Sequence, residues 1–273
     1  MKESVFLRFL YRTVPGRYLL KLLVQPSVSR AAAWFLSSAA SRPLIGYYIR
    51  KYKIDMTEFG NKKFRSFNDF FTRKKELHIC PDEPDLISPC DGYLSVYHIG
   101  DDLHMQIKHS TYTVGELLES HELAESFRGG TCCVFRLEPQ HYHRYIYPVN
   151  GTIQEGKKIP GVLHCVRPIA CSQFPVYVRN SREYVLIQHD TLGSVVQMEV
   201  GAMLVGRIHN HRRNVSAKQG MEKGYFEYGG STIILLFRKD SVQLLPQFND
   251  AAGTEQEIPI KLGQAFGRIL PTL

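Results

Sequence analysis

The stretch GYFEYGGSTIILLF, residues 224–237, contains the most apolar run in the second half of the chain. Residues 233–237 have the composition of a buried strand, and two glycines stand just before Ser231 and Thr232. A turn would explain the glycines, because glycine adopts backbone angles that other residues avoid. It would not explain why a Ser-Thr pair joins a core strand with no polar spacer. The stretch therefore predicts a core strand that starts at an unusual serine.

The chain after Pro81 consists largely of short runs of β-forming residues, each bounded by Gly, Pro, Asn or Asp. Strands are predicted over residues 92–98, 132–137, 145–147, 151–154, 184–188, 194–200, 203–208, 225–228, 231–237 and 242–245. One helix is predicted among them, over residues 117–126. Such runs are typical of a compact, mainly antiparallel β body.

The first sixty residues have a helical pattern instead. Apolar residues recur at helix spacing over residues 7–23, and further helical segments cover residues 29–41 and 43–53. Residues 66–73 predict another short helix with aromatic side chains on its inner face. We therefore expect an α+β fold, with an N-terminal amphipathic helical layer on the β body. The predicted division is a helical membrane-docking region over residues 1–80 and a catalytic body over residues 81–273.

Charge is concentrated in the helical part. The chain of 273 residues carries a net charge of +8, and residues 1–60 contribute ten Lys/Arg against three Asp/Glu, which is +7. Basic amphipathic helices suit an anionic membrane surface. The pattern equally fits a helical layer packed on the body with solvated lysines. Nucleic acid is not expected as a partner, because the basic residues alternate with aliphatic ones and no nucleic-acid motif is present.

The overall composition, 44% hydrophobic and 22% charged, is that of an ordinary globular protein. The sequence has no run of eighteen apolar residues that would span a membrane. The N-terminus lacks the apolar core and cleavage site of a secretory signal. Six cysteines stand at irregular spacings without a C-x-x-C pair, so reduced thiols are expected rather than a zinc site or redox motif.

The chain contains an Asp, a His and a Ser in motifs that could together form a nucleophilic triad. Asp91 lies in the Ser-Pro-Cys-Asp-Gly motif of residues 88–92, which by itself is also a turn before a strand. His141 and His143 are two apart and face one side of an extended chain. No Cys or carboxylate stands at a ligand spacing, so no metal is expected. A triad hydrolase is disfavoured because Ser231 lacks a G-x-S-x-G nucleophile elbow.

Six short blocks, taken in order, resemble the phosphatidylserine decarboxylases, which are pyruvoyl-dependent enzymes of bacterial type made as inactive proenzymes. The chain is identified as a member of this family on blocks that extend over nearly its whole length. They are Tyr-Lys-Ile-Asp (52–55) with Ser-Phe-Asn-Asp-Phe-Phe-Thr-Arg (66–73), Ser-Pro-x-Asp-Gly (88–92), Tyr-His-Arg (142–144), Pro-Gly-x-Leu (160–163), Val-Gly-Ala-x-x-Val-Gly (200–206) and Gly-Tyr-Phe-x-x-Gly-Gly-Ser-Thr (224–232).

The resemblance implies self-cleavage between Gly230 and Ser231. Attack of Ser231 Oγ on the Gly230 carbonyl would give an ester, and elimination and hydrolysis would leave a pyruvoyl group. The products would be a β chain of residues 1–230 and an α chain of residues 231–273, which form a heterodimer. The pyruvoyl carbonyl would form a Schiff base with the serine amine of phosphatidylserine and act as electron sink, with neither metal nor pyridoxal phosphate. The product would be phosphatidylethanolamine.

The resemblance also implies roles for individual residues. His143 would protonate the carbanion, Asp91 would polarise a histidine base during self-cleavage, and His141 and Arg144 would bind substrate. The chain departs from the family pattern Asp-Tyr-His-Arg-x-His, because His141 replaces the Asp and Ile146 replaces the second His. The usual base for self-cleavage is therefore absent. His164 is the first candidate to replace it, with His143 and His141 as others; alternatively, His164 only lines the pocket.

A diacyl lipid substrate favours the membrane interpretation of the basic helices. The resemblance thus implies a peripheral protein on the cytoplasmic face of the cell membrane, bound to anionic phospholipid. The alternative is a non-cleaving relative that binds lipid or headgroup and has no decarboxylase activity. The missing second histidine is the feature that supports this alternative.

Overall fold

Helices dominate the first part of the chain in the computed structural model, which describes residues 5–60, 62–77, 79, 85–107, 110–203, 207–211, 215–228, 231–254 and 256–271. The α-helices are α1 (Val5–Arg12), α2 (Val14–Leu23), α3 (Pro26–Leu36), α4 (Pro43–Tyr52), α5 (Phe67–Phe71), α6 (Val114–Leu118), α7 (His121–Glu125), α8 (Pro168–Cys171), α9 (Val176–Arg179) and α10 (Pro246–Asn249). Short 3₁₀ turns cover Ala39–Ser41 and Thr57–Phe59.

Strands dominate from residue 85 onward. They are β1 (Asp85–Ile87), β2 (Gly92–His98), β3 (His104–Ile107), β4 (Ser110–Thr113), β5 (Thr131–Leu137), β6 (Arg144–Ile146), β7 (Gly151–Ile159), β8 (Arg182–His189), β9 (Gly193–Val200), β10 (Ile208–Asn210), β11 (Ser216–Ala217), β12 (Glu222–Phe226), β13 (Ser231–Phe237), β14 (Val242–Leu244), β15 (Ile258–Ile260) and β16 (Ala265–Ile269). The main sheet is antiparallel, in the order β11-β7-β8-β9-β13-β5-β2-β15. The predicted α+β class is confirmed.

Strand β13 is the central element of this sheet. It pairs with β5 on one side and β9 on the other, and all seven of its residues are buried. Such a strand has no face left for polar residues, which explains the unbroken apolar run of residues 233–237. The prediction that residues 231–237 form a core strand is confirmed.

The N-terminal helices contribute to two separate apolar clusters. Leu7, Leu10, Tyr11 and Leu20 of α1 and α2 belong to the core of the β body. A second cluster joins residues of α4 and α5 to their neighbours: Leu36, Tyr48, Ile54, Phe64, Phe67, Phe70 and Phe71. The short helix predicted over residues 66–73 is confirmed; Ser66 caps it by accepting a hydrogen bond from Asp69 N–H at 3.1 Å.

Two predicted elements differ from the structure. The helix predicted over residues 117–126 is wrong as a single element, because Glu119 adopts a left-handed backbone (φ 47°) that separates α6 from α7. The strand predicted over residues 203–208 is also wrong where it can be compared, because Met203 lies in a turn and β10 begins at Ile208. Residues 204–206 lie outside the described residues.

None of the described helices has the length and apolar character needed to cross a membrane. The division into a membrane-docking region and a catalytic body stays a prediction.

Candidate active site

Four neighbouring strands of the main sheet begin or end along the same side of the sheet, the site edge. At this edge β9 ends at Val200, β13 begins at Ser231, β5 ends at Leu137 and β2 begins at Gly92. Ser231 lies opposite Leu137, and Thr232 lies opposite both Val200 and Arg136. Residues just outside these strand ends are therefore neighbours in space although they are far apart in sequence.

The Ser231 side chain is fully buried at the centre of this edge. Its Oγ has no hydrogen-bond partner among the described residues, and the same holds for Oγ1 of Thr232. The two hydroxyls point to opposite faces of the sheet because successive side chains of a strand alternate. A buried hydroxyl without a partner costs about 1–3 kcal/mol, so its retention calls for an explanation.

Asp91 precedes β2, on the other side of β5 from Ser231. Its carboxylate accepts hydrogen bonds from two backbone N–H groups, that of Leu262 at 2.9 Å and that of Tyr142 at 3.3 Å. These bonds connect β2 to the loop that carries His141 and His143. Asp91 lines a cavity of about 760 Å³ together with His141 and Tyr142.

The His141 ring is held in one tautomer. Its Nδ1 accepts a hydrogen bond from the Glu138 N–H at 2.9 Å, so any ring proton of the neutral form lies on Nε2. Burial lowers the pKa of His141, and the negative charges of Asp91 and Glu138 oppose this shift. His141 is therefore neutral at pH 7.

His143 lies deeper than His141. Its side chain is fully buried and packs on Phe71 of α5, with 3.9 Å between the ring centroids. Its backbone carbonyl accepts a hydrogen bond from Phe226 N–H at 3.0 Å. The aromatic helix predicted over residues 66–73 thus packs against the side chain of His143.

Arg144 follows His143 and is bound on three sides. Its Nη1 donates to Glu222 at 2.7 Å, its Nε donates to the carbonyl of Thr72 at 2.8 Å, and its guanidinium lies over Tyr225. The side chain is mostly buried by these contacts. Its assignment to substrate binding stays a prediction.

His164 lies on the opposite side of Ser231 from Asp91. The Asn180 amide fixes the backbone here, accepting from His164 N–H at 2.9 Å and donating to the carbonyls of His164 at 2.8 Å and Gly201 at 2.7 Å. Gly201 follows Val200, the partner of Thr232. His164 stacks on Phe174. Burial, assisted by the positive charge of Arg179, lowers the pKa of His164 to about 4.

A buried polar cluster that was not predicted from the sequence lies under the same edge. Glu199 of β9 and Lys223 of β12 form an ion pair in which both side chains are essentially inaccessible, at 0% and 1% exposure. Asn210 of β10 bonds to both of them. One signal was available: Gln197 and Glu199 interrupt an otherwise apolar strand at alternate positions.

Metal ligands do not cluster in the part of the chain that the structure describes, where no three His, Cys, Asp or Glu side chains come together. The five described cysteines are free thiols. Burial raises the pKa of Cys90, Cys132 and Cys133, so these thiols stay protonated at neutral pH.

Comparison with known proteins identifies the family. The phosphatidylserine decarboxylase family model matches residues 67–268. Phosphatidylserine decarboxylase proenzyme 2 of Clostridium acetobutylicum is 43% identical over 265 residues, which cover 96% of this chain and 91% of the relative. The phosphatidylserine decarboxylase proenzymes of Clostridium novyi and Ruminiclostridium cellulolyticum are each 37% identical, over 96% and 97% of this chain and over 92% and 91% of their own lengths.

The matching relatives are decarboxylases whose names describe them as proenzymes. The chain belongs to the phosphatidylserine decarboxylase family.

Proposed function

We propose that the protein converts phosphatidylserine to phosphatidylethanolamine with a pyruvoyl group made from Ser231 by cleavage of the Gly230–Ser231 bond. The observation that carries the proposal is the Ser231 hydroxyl, which is buried at the first residue of the central strand without a partner among the described residues. A hydroxyl that is consumed in maturation needs no permanent hydrogen bond, which accounts for the unfavourable state of this one.

Self-cleavage proceeds through an ester. Ser231 Oγ attacks the carbonyl of residue 230, the C–N bond breaks, and the peptide becomes an ester. Loss of the Ser231 Cα proton expels the carboxylate of residue 230 and leaves dehydroalanine, and hydrolysis releases ammonia. Strand β13 then belongs to the smaller chain, while its neighbours β5 and β9 belong to the larger one. The backbone hydrogen bonds on both sides of β13 hold the heterodimer together.

The surroundings of Ser231 suit a carbonyl group that must be kept from water, because its strand is buried along its entire length. When formed, the pyruvoyl group supplies an electron sink for the loss of carbon dioxide from the lipid headgroup. His143, buried against Phe71, delivers a proton to the headgroup carbon. Asp91, fixed by two backbone N–H groups, is assigned to self-cleavage, as the family resemblance implies.

His141 and Arg144 are assigned to the substrate, as the family resemblance implies. His164 is assigned to the site edge beside Gly201. Because its pKa is about 4, His164 is a weak base at neutral pH. This favours the alternative in which it lines the pocket over a role as the self-cleavage base.

A second cavity, of about 600 Å³, provides a site for the lipid phosphate. It lies between α3 and the strand ends next to Gly201, and three cations, Arg30, Lys158 and Arg207, line it. Arg30 and Arg207 make neither ion pairs nor side-chain hydrogen bonds within the described part of the chain. An exposed guanidinium without a carboxylate partner is available to a phosphodiester.

The helical layer docks on an anionic membrane on the cytoplasmic face. Among the described residues, the large apolar side chains that are exposed lie between Val5 and Tyr47, with Val215 as the exception. Trp34 and Tyr18 are 79% and 70% exposed. Arginines and lysines of the same helices are exposed beside them, which combines apolar insertion with attraction to anionic headgroups.

Release of carbon dioxide from a labelled lipid tests the proposal against the non-cleaving alternative. Purified protein is incubated with vesicles that contain phosphatidylserine labelled in the serine carboxyl carbon. We expect labelled carbon dioxide and an equal amount of phosphatidylethanolamine. Protein that binds these vesicles but releases no label would be a lipid-binding relative, and the proposed activity would be wrong.

A further inference from the structure

The ion pair of Glu199 and Lys223 is the least expected feature of the core. Charged side chains are rarely buried completely, because the loss of hydration commonly exceeds the attraction between the charges. Both Lys223 Nζ and Asn210 Nδ2 donate to the same oxygen of Glu199, its Oε2. Lys223 stands at the irregularity in the pairing of β12 with β6, between Glu222 and Gly224, which turns its side chain into the core.

The other oxygen of Glu199, Oε1, is buried and has no hydrogen-bond partner among the described residues. A carboxylate that only stabilised the core would be expected to satisfy both oxygens. Ser231 Oγ is also buried and has no hydrogen-bond partner among the described residues. Ser231 Oγ is thus a buried proton donor and Glu199 Oε1 a buried proton acceptor.

The sheet register brings these two side chains to the same face. Ile233 lies directly opposite Glu199, and Ser231 is two residues before Ile233 on the same strand. Side chains at positions i and i+2 share a face, so Ser231 and Glu199 are diagonal neighbours across adjacent strands. Their Cβ atoms are expected to be roughly 7–8 Å apart or slightly less, within reach of a side chain as long as glutamate.

Ile146, which occupies the position of the family's second histidine, lies beside this arrangement. Its carbonyl accepts a hydrogen bond from Gln197 Nε2 at 3.1 Å, and Gln197 is two residues before Glu199 on the same face of β9. The Ile146 side chain is completely buried and offers no proton acceptor. Glu199, on the same face of β9 as Gln197, is a buried side chain that can accept a proton.

We propose that Glu199 is the general base for self-cleavage, in the place of the histidine that Ile146 replaces. Glu199 Oε1 takes the proton from Ser231 Oγ while the Oγ–C bond to residue 230 forms. The proton then passes to the Ser231 nitrogen as the C–N bond breaks, so the amide becomes an ester plus an amine without net gain or loss of a proton. Lys223 and Asn210 are positioning residues that hold Oε2. This proposal rests on the proposed function.

The test follows cleavage of freshly made protein. Radiolabelled chains are synthesised in a cell-free system, and the fraction cut at 230/231 is followed with time for wild type, Glu199→Gln and Glu199→Gln/Lys223→Met. The double variant removes both charges, so the core is not left with one buried charge. The matched control is Glu183→Gln, because Glu183 lies opposite Glu199 on the same face of the sheet, one strand farther from Ser231.

We expect both Glu199 variants to be cut about 100-fold or more slowly than wild type, in the range usual for loss of a general base. The control should be cut at the wild-type rate, and thermal unfolding should show that the double variant is folded. Hydroxylamine cuts the ester intermediate, and it should release no fragment from the Glu199 variants because they do not form the ester.

Two results would overturn the proposal. The first is a folded double variant that is cut within threefold of the wild-type rate. The second is a Glu199 variant that hydroxylamine cuts at 230/231, since the ester would then form without Glu199. A wild-type chain that is never cut would instead refute the proposed function itself.

Discussion

The helical layer and the β body depart from the usual distribution of side chains in opposite ways. On helices α1 to α4 large apolar side chains such as Trp34 and Phe6 are exposed. In the main sheet, charged side chains such as Glu199, Arg136 and Arg182 are buried. Each arrangement costs folding free energy. Burial of apolar surface stabilises the folded state, whereas burial of a charge removes its favourable hydration.

Both departures from the distribution that folding favours are explained by function. The exposed apolar residues gain a favourable environment only when another apolar phase covers them, which fits a lipid surface. The buried charges are stabilised by partners within the protein. Glu199 is paired with Lys223, and Arg136 with Glu138 and Glu257. Arg182 donates to backbone carbonyls. The helical layer thus exposes a surface that a partner can cover, whereas the β body encloses its charged side chains.

The largest effect is expected at the serine of the β body. Ser231→Ala removes the attacking hydroxyl, so the chain should stay uncut and release no carbon dioxide from phosphatidylserine. Thr232→Ala is the matched control, because its hydroxyl is also buried without a partner among the described residues but faces the other side of the sheet. Gel analysis and the labelled-lipid assay should separate the two. Equal behaviour of both variants would contradict the assignment of Ser231.

The next effect concerns the stability that the buried charges control. Lys223→Met leaves Glu199 buried without its cation and should lower the free energy of unfolding by about 3–5 kcal/mol. Lys158→Met breaks the Lys158–Glu183 pair on the same sheet, in which Lys158 is 68% exposed, and should cost less than about 1 kcal/mol. Urea unfolding measures both. A loss of similar size in the two variants would remove the contrast between buried and exposed pairs.

A third effect depends on pH. Because the pKa of His164 in the folded protein, about 4, lies below the ordinary value of 6.5, the unfolded state binds more protons between these values. Stability is therefore complete above pH 6.5 and falls by roughly 3 kcal/mol as pH drops to 4. His164→Gln should lose this part of the pH dependence in urea unfolding. His98→Gln, on an exposed side chain of β2, is the control and should follow the wild-type profile.

The smallest effect is expected in the helical layer. Trp34→Ser should weaken binding to phosphatidylserine vesicles about tenfold, because the loss of a partly inserted aromatic ring removes roughly 1.5 kcal/mol. Val215→Ser is the control, since Val215 is as exposed as Trp34 but lies outside the helices. Vesicle co-sedimentation measures both. Equal binding of Trp34→Ser and wild type would show that this face does not meet the membrane.

Much of the fold could be predicted from local pattern. The apolar run of residues 233–237 identified a core strand, because a strand buried on both faces is mostly apolar. The aromatic helix of residues 66–73 was identifiable because its aromatic residues fall on one face. The break between α6 and α7 was not, because Glu119 gives no composition signal for a left-handed residue.

The candidate site was predictable only in part. Motif order singled out Ser231, Asp91 and His143, and the structure brings Ser231 and Asp91 to one edge of the sheet. The pairing of Glu199 with Lys223 could not be predicted, because it depends on the register of β9 and β13 and on the irregularity in β12. Contacts of this kind are set by tertiary structure rather than by local sequence.

The intact mass of the purified protein shows whether Ser231 has become a pyruvoyl group. We expect two chains, of residues 1–230 and 231–273, with the smaller chain lighter by one ammonia than its sequence requires and resistant to N-terminal sequencing. A single chain of 273 residues that retains an unmodified Ser231 would contradict the proposed self-cleavage.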